Sequence, residues 1–306
     1  MIEIDRIAAL EGHQNPIYSV ENSINPNAVY TAGNDKGIVE WNLENFTPKV
    51  IFPVKSSVYA LHTLQQQQLL AVGERSGQLS ITNPESGKAV FTAAHHQKPI
   101  FEITSIKRKN ELLAASEDGT VSVWDLNSFN LLYKFNVSQD TVRCIAVDKN
   151  ESLAAFGCKD NLIQIYSLDD FSLLHTLKAH SMPVTSLQFS PDGRFLLSGA
   201  RDAHLNIWNT NDFTLLDSFA AHLFSIYDIE FHPSLPYFAT ASRDKSIKIW
   251  SSETFKLHKI ISREKGIDAH ILSVNKIAWE PNKEQLISVS DDKLVMVWDV
   301  QIDVEP

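Results

Sequence analysis

One turn-centred frame returns along the whole chain, and few folds can accommodate it. Ala239 to Trp250 reads ATASRDKSIKIW: a short apolar run, a polar turn at Ser242-Arg243-Asp244, then Ile247, Ile249 and Trp250. Alternation on both sides of such a turn predicts a tight antiparallel hairpin. The turn residue recurs at Asp35, Ser76, Asp118, Asp160, Asp202, Asp244 and Asp292, at intervals of 41, 42, 42, 42, 42 and 48 residues. Six residues after it stand Trp41, Thr82, Trp124, Tyr166, Trp208, Trp250 and Trp298. Twenty-two residues before it stand His13, His96, His180, His222 and His270, with Val54 and Ser138 in units two and four.

Each unit carries four short strand patterns. The fifth shows VTSLQF, the turn SPDGR, FLLSGA, the turn RDA, HLNIW, a linker, and FTLLDSF. No helical period competes with them. A four-stranded sheet of this size cannot bury both faces alone, whereas seven packed face to face around an axis can. The expected architecture is therefore all-β: a single seven-bladed β-propeller over residues 1–306, built of four-stranded antiparallel blades. The chain stops one strand short of a complete last sheet, and the segment IDRIAAL has the register of an outermost strand. Residues 2–10 are expected to close blade seven, which removes an exposed edge.

Composition narrows the setting. The net charge of −10 disfavours general affinity for nucleic acid or acidic membranes. No apolar run is long enough to span a bilayer, and the N-terminus lacks the basic and apolar regions of a signal peptide. Two cysteines, Cys144 and Cys158, exclude a disulfide framework, and two buried reduced thiols are expected. The expected location is a reducing, intracellular compartment, the cytoplasm.

The frames GH…ND…W, AH…RD…W and AH…DD…WD resemble the WD-repeat family across essentially the whole chain. The resemblance implies a hydrogen-bonded chain in each blade from the turn Asp through the His and a Ser or Thr to the Trp. The full set maps onto His13, Thr31, Asp35 and Trp41; His180, Ser198, Asp202 and Trp208; His222, Thr240, Asp244 and Trp250; and His270, Ser288, Asp292 and Trp298. Blade three has His96, Asp118 and Trp124 but Ala114 at the hydroxyl position. Blade four keeps only Asp160, with Phe156 and Tyr166, and blade two, with Val72, Ser76 and Thr82, keeps nothing. Blades two to four are expected to rest on apolar packing alone and to form the softer arc.

Chemistry is not indicated. The five frame histidines lie in five different blades, no His or Cys pair has ligand spacing, and no nucleophile elbow or phosphate-cradling glycine loop occurs. No enzyme activity, cofactor or metal is expected. The basic run Lys107-Arg108-Lys109 reads as a solvated turn, and of the pair His95-His96 the first is expected to face solvent.

In WD-repeat proteins the residues three and five after the His, and the one before the turn Asp, often contact partners. By register these include Tyr18, Tyr59, Phe101 and Tyr227 together with Arg75, Arg143, Lys159, Arg201 and Arg243. Aromatic and Arg enrichment of this kind marks interface hot spots. The extra residues before His270 fall in Ile261 to Asp268, adding Arg263 and Lys265 on the same face, near Arg243. The expected function is a non-catalytic scaffold binding a partner protein through an acidic or phosphorylated segment, as a monomer or as a subunit of a larger complex. No membrane partner is expected. The competing class is single-stranded RNA binding, with cations on phosphate and tyrosines stacked on bases.

Overall fold

The computed structural model describes residues 2–178 and 180–302. Its strands form seven four-stranded antiparallel sheets, and in the first six the order in space is the order in sequence. The innermost strands are Ile17–Asn22, Val58–Leu64, Ile100–Ile106, Val142–Val147, Val184–Phe189, Ile226–Phe231 and Val274–Glu280, each packed on the next around a closed ring. In the seventh sheet Ile2–Leu10 is the outermost strand. It runs antiparallel to Val295–Ile302, from Ile2 opposite Ile302 to Leu10 opposite Val295.

Burial follows from the stacking of sheets. The second strand of a blade is covered on both faces, so Ala28–Gly33, Leu69–Glu74 and Glu111–Ser116 are buried at every position and read as unbroken runs. The outermost strands lie on the circumference, and Leu131–Asn136 and Leu215–Ala220 are almost wholly exposed. The core is divided among the interfaces between blades. Tyr30, Ala32 and Ile38 of blade one, for example, meet Val58, Leu61, Leu70 and Val72 of blade two.

Blade two, which lacks both His and Asp, keeps the register all the same. The residue after the turn position is left-handed in every blade: Lys36, Gly77, Gly119, Asn161, Ala203, Lys245 and Lys293, with φ from 58° to 83°. At Gly77 a side chain is excluded, because a Cβ would stand 2.2 Å from the His96 carbonyl oxygen. The six-residue surplus lies where the period places it. Arg263–Lys265 form a short 3-10 turn, and Arg263 ties to the Asp268 carboxylate at 2.9 Å and to the Ala269 carbonyl at 2.9 Å. Arg6 of the closing strand also grips Asp268, at 2.7 Å.

The four complete networks form. In blade six the Trp250 indole N–H donates to Thr240 Oγ1 at 2.9 Å, the hydroxyl meets His222 Nε2 at 2.7 Å, and His222 Nδ1 faces Asp244 Oδ2 at 2.9 Å. A carboxylate needs a donor, which places the proton on Nδ1 and leaves Nε2 to accept from the hydroxyl. Burial, opposed by the Asp244 contact, holds His222 below its ordinary pKa and therefore neutral. The same chain runs through His13, Thr31, Asp35 and Trp41, through His180, Ser198, Asp202 and Trp208, and through His270, Ser288, Asp292 and Trp298.

The expectation that blades two to four rest on apolar packing alone is corrected. In blade three Ser122 accepts the Trp124 indole N–H at 2.8 Å and meets His96 Nε2 at 2.8 Å, while His96 Nδ1 faces Asp118 at 3.0 Å. In blade four Ser138, at the His position, donates to Asp160 at 2.7 Å, and Tyr166 packs edge-on against Phe156. In blade two Glu74, only 1% exposed, replaces the missing turn carboxylate. It accepts from the Ser56 N–H at 3.1 Å, the Ser56 hydroxyl at 2.9 Å and Gln78 Nε2 at 3.1 Å. His95 is half-buried, edge-on to Trp124, rather than turned to solvent.

Candidate functional site

Every innermost strand carries one irregularity in its pairing with the second strand, and always at the same place. The register slips at Tyr18, Tyr59, Phe101, Arg143, Thr185, Tyr227 and Asn275, one residue per blade. A bulge re-aims the side chain of its extra residue. Here all seven bulge residues line a cavity of about 410 Å³ at the mouth of the central channel, together with Glu102, Arg201, Lys276 and Asp291. A second contact fixes the ring: the N–H of the residue before each turn position donates to the carbonyl of the residue three after the His position. Examples are Arg201 to Pro183 and Arg243 to Ser225, both at 3.0 Å.

One side of the mouth is aromatic. Tyr18 and Tyr59 have ring centroids 5.1 Å apart, Tyr59 and Phe101 5.3 Å, and the Arg143 guanidinium lies 4.5 Å over the Phe101 ring. The opposite side is polar. Thr185 donates to the Gly199 carbonyl at 3.2 Å, and Asn275 donates to Asp291 and to the Ile17 carbonyl, both at 2.8 Å.

The charges are not balanced. Lys276 reaches across the channel to Glu102 at 3.2 Å, so those two cancel. Arg143 and Arg201 form no ion pair among the described residues. Burial, and then the repulsion of Arg201, lower the pKa of Arg143. Beneath the mouth the channel turns acidic, with Glu21, Asp228 and Glu230 around Lys276. Burial pushes the Glu21 carboxyl up to about 8, against the pull of Lys276. Among the described residues no group of three His, Cys, Asp or Glu side chains is placed to hold a metal ion.

Six of the eleven residues singled out for binding converge on this mouth: Tyr18, Tyr59, Phe101, Arg143, Arg201 and Tyr227. Arg243 stands in an adjoining cleft that shares Arg201 and Tyr227. Arg75 lies near enough for its charge to act on Tyr18, though it does not line the cavity. Lys159 pairs with Asp140 at 3.1 Å instead. Arg263 and Lys265 line a separate cleft between the rims of blades six and seven, and Arg263 is held by its own loop. The basic run is not a merely solvated turn either. Arg108 donates to the Glu151 carbonyl at 2.7 Å and to Asp169 at 2.6 Å, bracing blade three against blade four.

Glu102 and Lys276 went unnoticed in the sequence. Both directly follow a bulge residue, so counting one position past Phe101 and Asn275 would have found them.

A closed ring of seven four-stranded sheets, with His–Asp braced turns and a bulge-lined central mouth, defines a β-propeller built to present one rigid face. The family described as WD40, WD domain, G-beta repeat, matches residues 5–42, 87–125, 129–167, 171–209, 213–251 and 262–299, and the chain belongs to it. The unmatched stretch, 43–86, contains the first three strands of blade two, where Val54, Val72 and Ser76 replace the frame residues.

Among curated proteins the chain is 27% identical over 127 residues to Ribosome biogenesis protein ytm1 of Pyrenophora tritici-repentis, covering 40% of this chain and 28% of that protein. It is 23% identical over 128 residues to Telomerase protein component 1 of Mus musculus, covering 40% of this chain and 5% of that protein. Similarity to Topless-related protein 3 of Arabidopsis thaliana is 27% over 130 residues, covering 40% of this chain and 12% of that protein. The chain thus aligns with less than a third of the length of each.

Proposed function

We propose that the chain is a non-catalytic interaction scaffold whose bulge-lined mouth binds an acidic or phosphorylated segment of a partner protein. The observation that carries this is the pair Arg143 and Arg201, two guanidiniums held in one cavity and neither in an ion pair with the Glu102 or Asp291 carboxylates that also line it. A carboxylate or phosphate entering the mouth relieves their repulsion and forms charge-assisted hydrogen bonds with both. The Tyr18–Tyr59–Phe101 cluster gives the same segment a rigid apolar wall at little entropic cost. The family match and a relative named for ribosome biogenesis fit a role in a larger assembly. The unpaired, buried thiols of Cys144 and Cys158 accord with a reducing intracellular site.

The test is binding of fluorescent acidic and phosphorylated peptide pools to the parent and to Arg143→Glu and Arg201→Glu. The expected result is saturable binding to the parent that is lost in both variants, with unchanged melting temperatures. Binding that survives both charge reversals would sink the proposal. Preferential binding of single-stranded oligonucleotides, with the steep salt dependence of several phosphate contacts, would transfer the face to the competing class.

A further inference from the structure

Seven equivalent rims can be compared blade with blade. The two residues after the His position are Gln14-Asn15, Lys55-Ser56, Gln97-Lys98 and Gln139-Asp140 in blades one to four, but Ser181-Met182, Leu223-Phe224 and Ile271-Leu272 in blades five to seven. The apolar ones face water. Met182 is 45% exposed, Leu223 77%, Phe224 57%, Ile271 49% and Leu272 44%. Single exposed apolar residues are ordinary, but five on three consecutive loops of one rim form a patch.

The turn networks hold this patch rigid. The Leu223 N–H donates to Asp244 at 3.0 Å, the Ile271 N–H to Asp292 at 3.0 Å, and the Ser181 N–H to Asp202 at 2.9 Å. The carboxylate that orients the buried His thus also pins the backbone of the rim. A surface ordered before binding loses less entropy when a partner arrives.

Two clefts flank the patch. One, of about 410 Å³, lies between blades six and seven with Leu223, Ile271 and Ile260 on its walls and Lys248 and Lys265 beside them. The other, of about 420 Å³, runs from Met182, Leu223 and Phe224 past Arg243 to Arg201 and Tyr227 at the channel mouth. Arg243 stands 6.0 Å from the Phe224 ring centroid, and Arg243, Lys245 and Lys265 form no ion pair among the described residues. Glu264 also lines the first cleft, so an occupant must match an apolar strip whose charged edge is mainly positive.

We propose that the rim of blades five to seven docks a partner-protein segment carrying large apolar side chains between carboxylates. This segment runs from the Leu223–Ile271 cleft along Arg243 into the mouth, so its inner end rests on the reading given above. The partner's apolar side chains cover Leu223, Phe224 and Ile271, and its carboxylates meet Arg243 and Lys265.

The test uses three pools of fluorescein-labelled twelve-residue peptides and the full chain. The first mixes Asp and Glu with Leu, Ile and Phe. The second replaces the apolar positions by Ser, and the third replaces the acidic positions by Lys. The variants are Leu223→Ser with Phe224→Ser, the rim control Gln97→Ser with Lys98→Ser, and Arg201→Glu. The first pool should bind best, and the Leu223/Phe224 variant should weaken it about tenfold or more without a change in melting temperature. The rim control should leave binding unchanged.

Equal binding of the Ser or Lys pool overturns the proposal, as does unaltered affinity in the Leu223/Phe224 variant or no binding of the first pool. Loss of binding in Arg201→Glu alone keeps the mouth and discards the rim. Loss in the Leu223/Phe224 variant alone keeps the rim and discards the mouth. A concentration-dependent dimer that Leu223→Ser with Phe224→Ser dissolves assigns the patch to a second copy of this chain and overturns the proposal too.

Discussion

Ser122 stands directly across the strand pair from Ala114, and it supplies the hydroxyl that Ala114 lacks. In blade five the corresponding pair is Ser198 and Asn206, with the hydroxyl on the other strand. The space between His and Trp is filled either way. Ser122→Ala should therefore lower stability by about 1–3 kcal/mol, because it strands His96 Nε2 and the Trp124 N–H in the core. Adding Ala114→Ser should restore most of the loss. Urea denaturation of the two variants measures it, and additive losses would refute the exchange.

Blade two makes a parallel case. Glu74→Ala should destabilise by about 2–4 kcal/mol, comparable to Asp244→Ala, since each leaves buried donors without an acceptor. Ser76→Ala, at the nominal turn position, should cost little, because its hydroxyl makes only long contacts, 3.5 Å to Glu74 and 3.4 Å from the exposed Gln78 N–H. Thermal melts of the three variants decide the matter. Equal losses at Ser76 and Asp244 would show that the turn position, not Glu74, carries blade two.

How much could be read from the residues follows from these two blades. The propeller and its seam were legible because His, Asp and Trp recur at fixed distances along the chain. The substitutes were not, because a hydrogen bond needs a place in space rather than a place in sequence. Ser122 reaches the site from the neighbouring strand, and Glu74 from two residues upstream with a longer side chain. At the mouth, Tyr18, Tyr59, Phe101 and Arg143 were found by register. The reason they converge was not: a bulge leaves no mark in composition, and Lys159 was placed with them although Asp140 draws it away. The apolar rim was open to reading, had the residues after each His been set side by side.

The channel carboxylates give a pH prediction. The folded pKa of Glu21 is raised by burial to about 8, from 4.5. A raised carboxyl contributes stability that is full below pH 4.5 and lost as pH climbs through 8. His62 works in the opposite sense. Burial, then Lys107 and Lys276, lower it to about 4, so its contribution is lost as pH falls from 6.5 towards 4. Glu21→Gln should melt higher than the parent above pH 8 and flatten the alkaline limb of the profile. A carboxyl resonance for Glu21 that titrates near pH 4.5 would rule this out.

Ring closure gives the last. Deleting residues 2–10 uncovers the edge of Val295–Ile302 and frees Asp268 from Arg6. The truncated protein should aggregate or lose at least about 10 °C of melting temperature, and the Arg263–Lys265 turn should become protease-sensitive. Calorimetry and limited proteolysis read the two effects. A truncated protein that melts like the parent would mean the seam closes by other means.

The pairing of Ile2 with Ile302 also sets a schedule for assembly. Residues three hundred apart in the chain must meet, and for an ideal flexible chain the closure entropy is about 5 kcal/mol at this length. Six sheets form from neighbouring segments and can fold in turn as the chain leaves the ribosome. The seventh cannot be completed until its third strand has been synthesised. Until then the nascent protein is an open arc in which Ile2–Leu10 has no partner, and the earliest-made strand of the ring is the last to find its place.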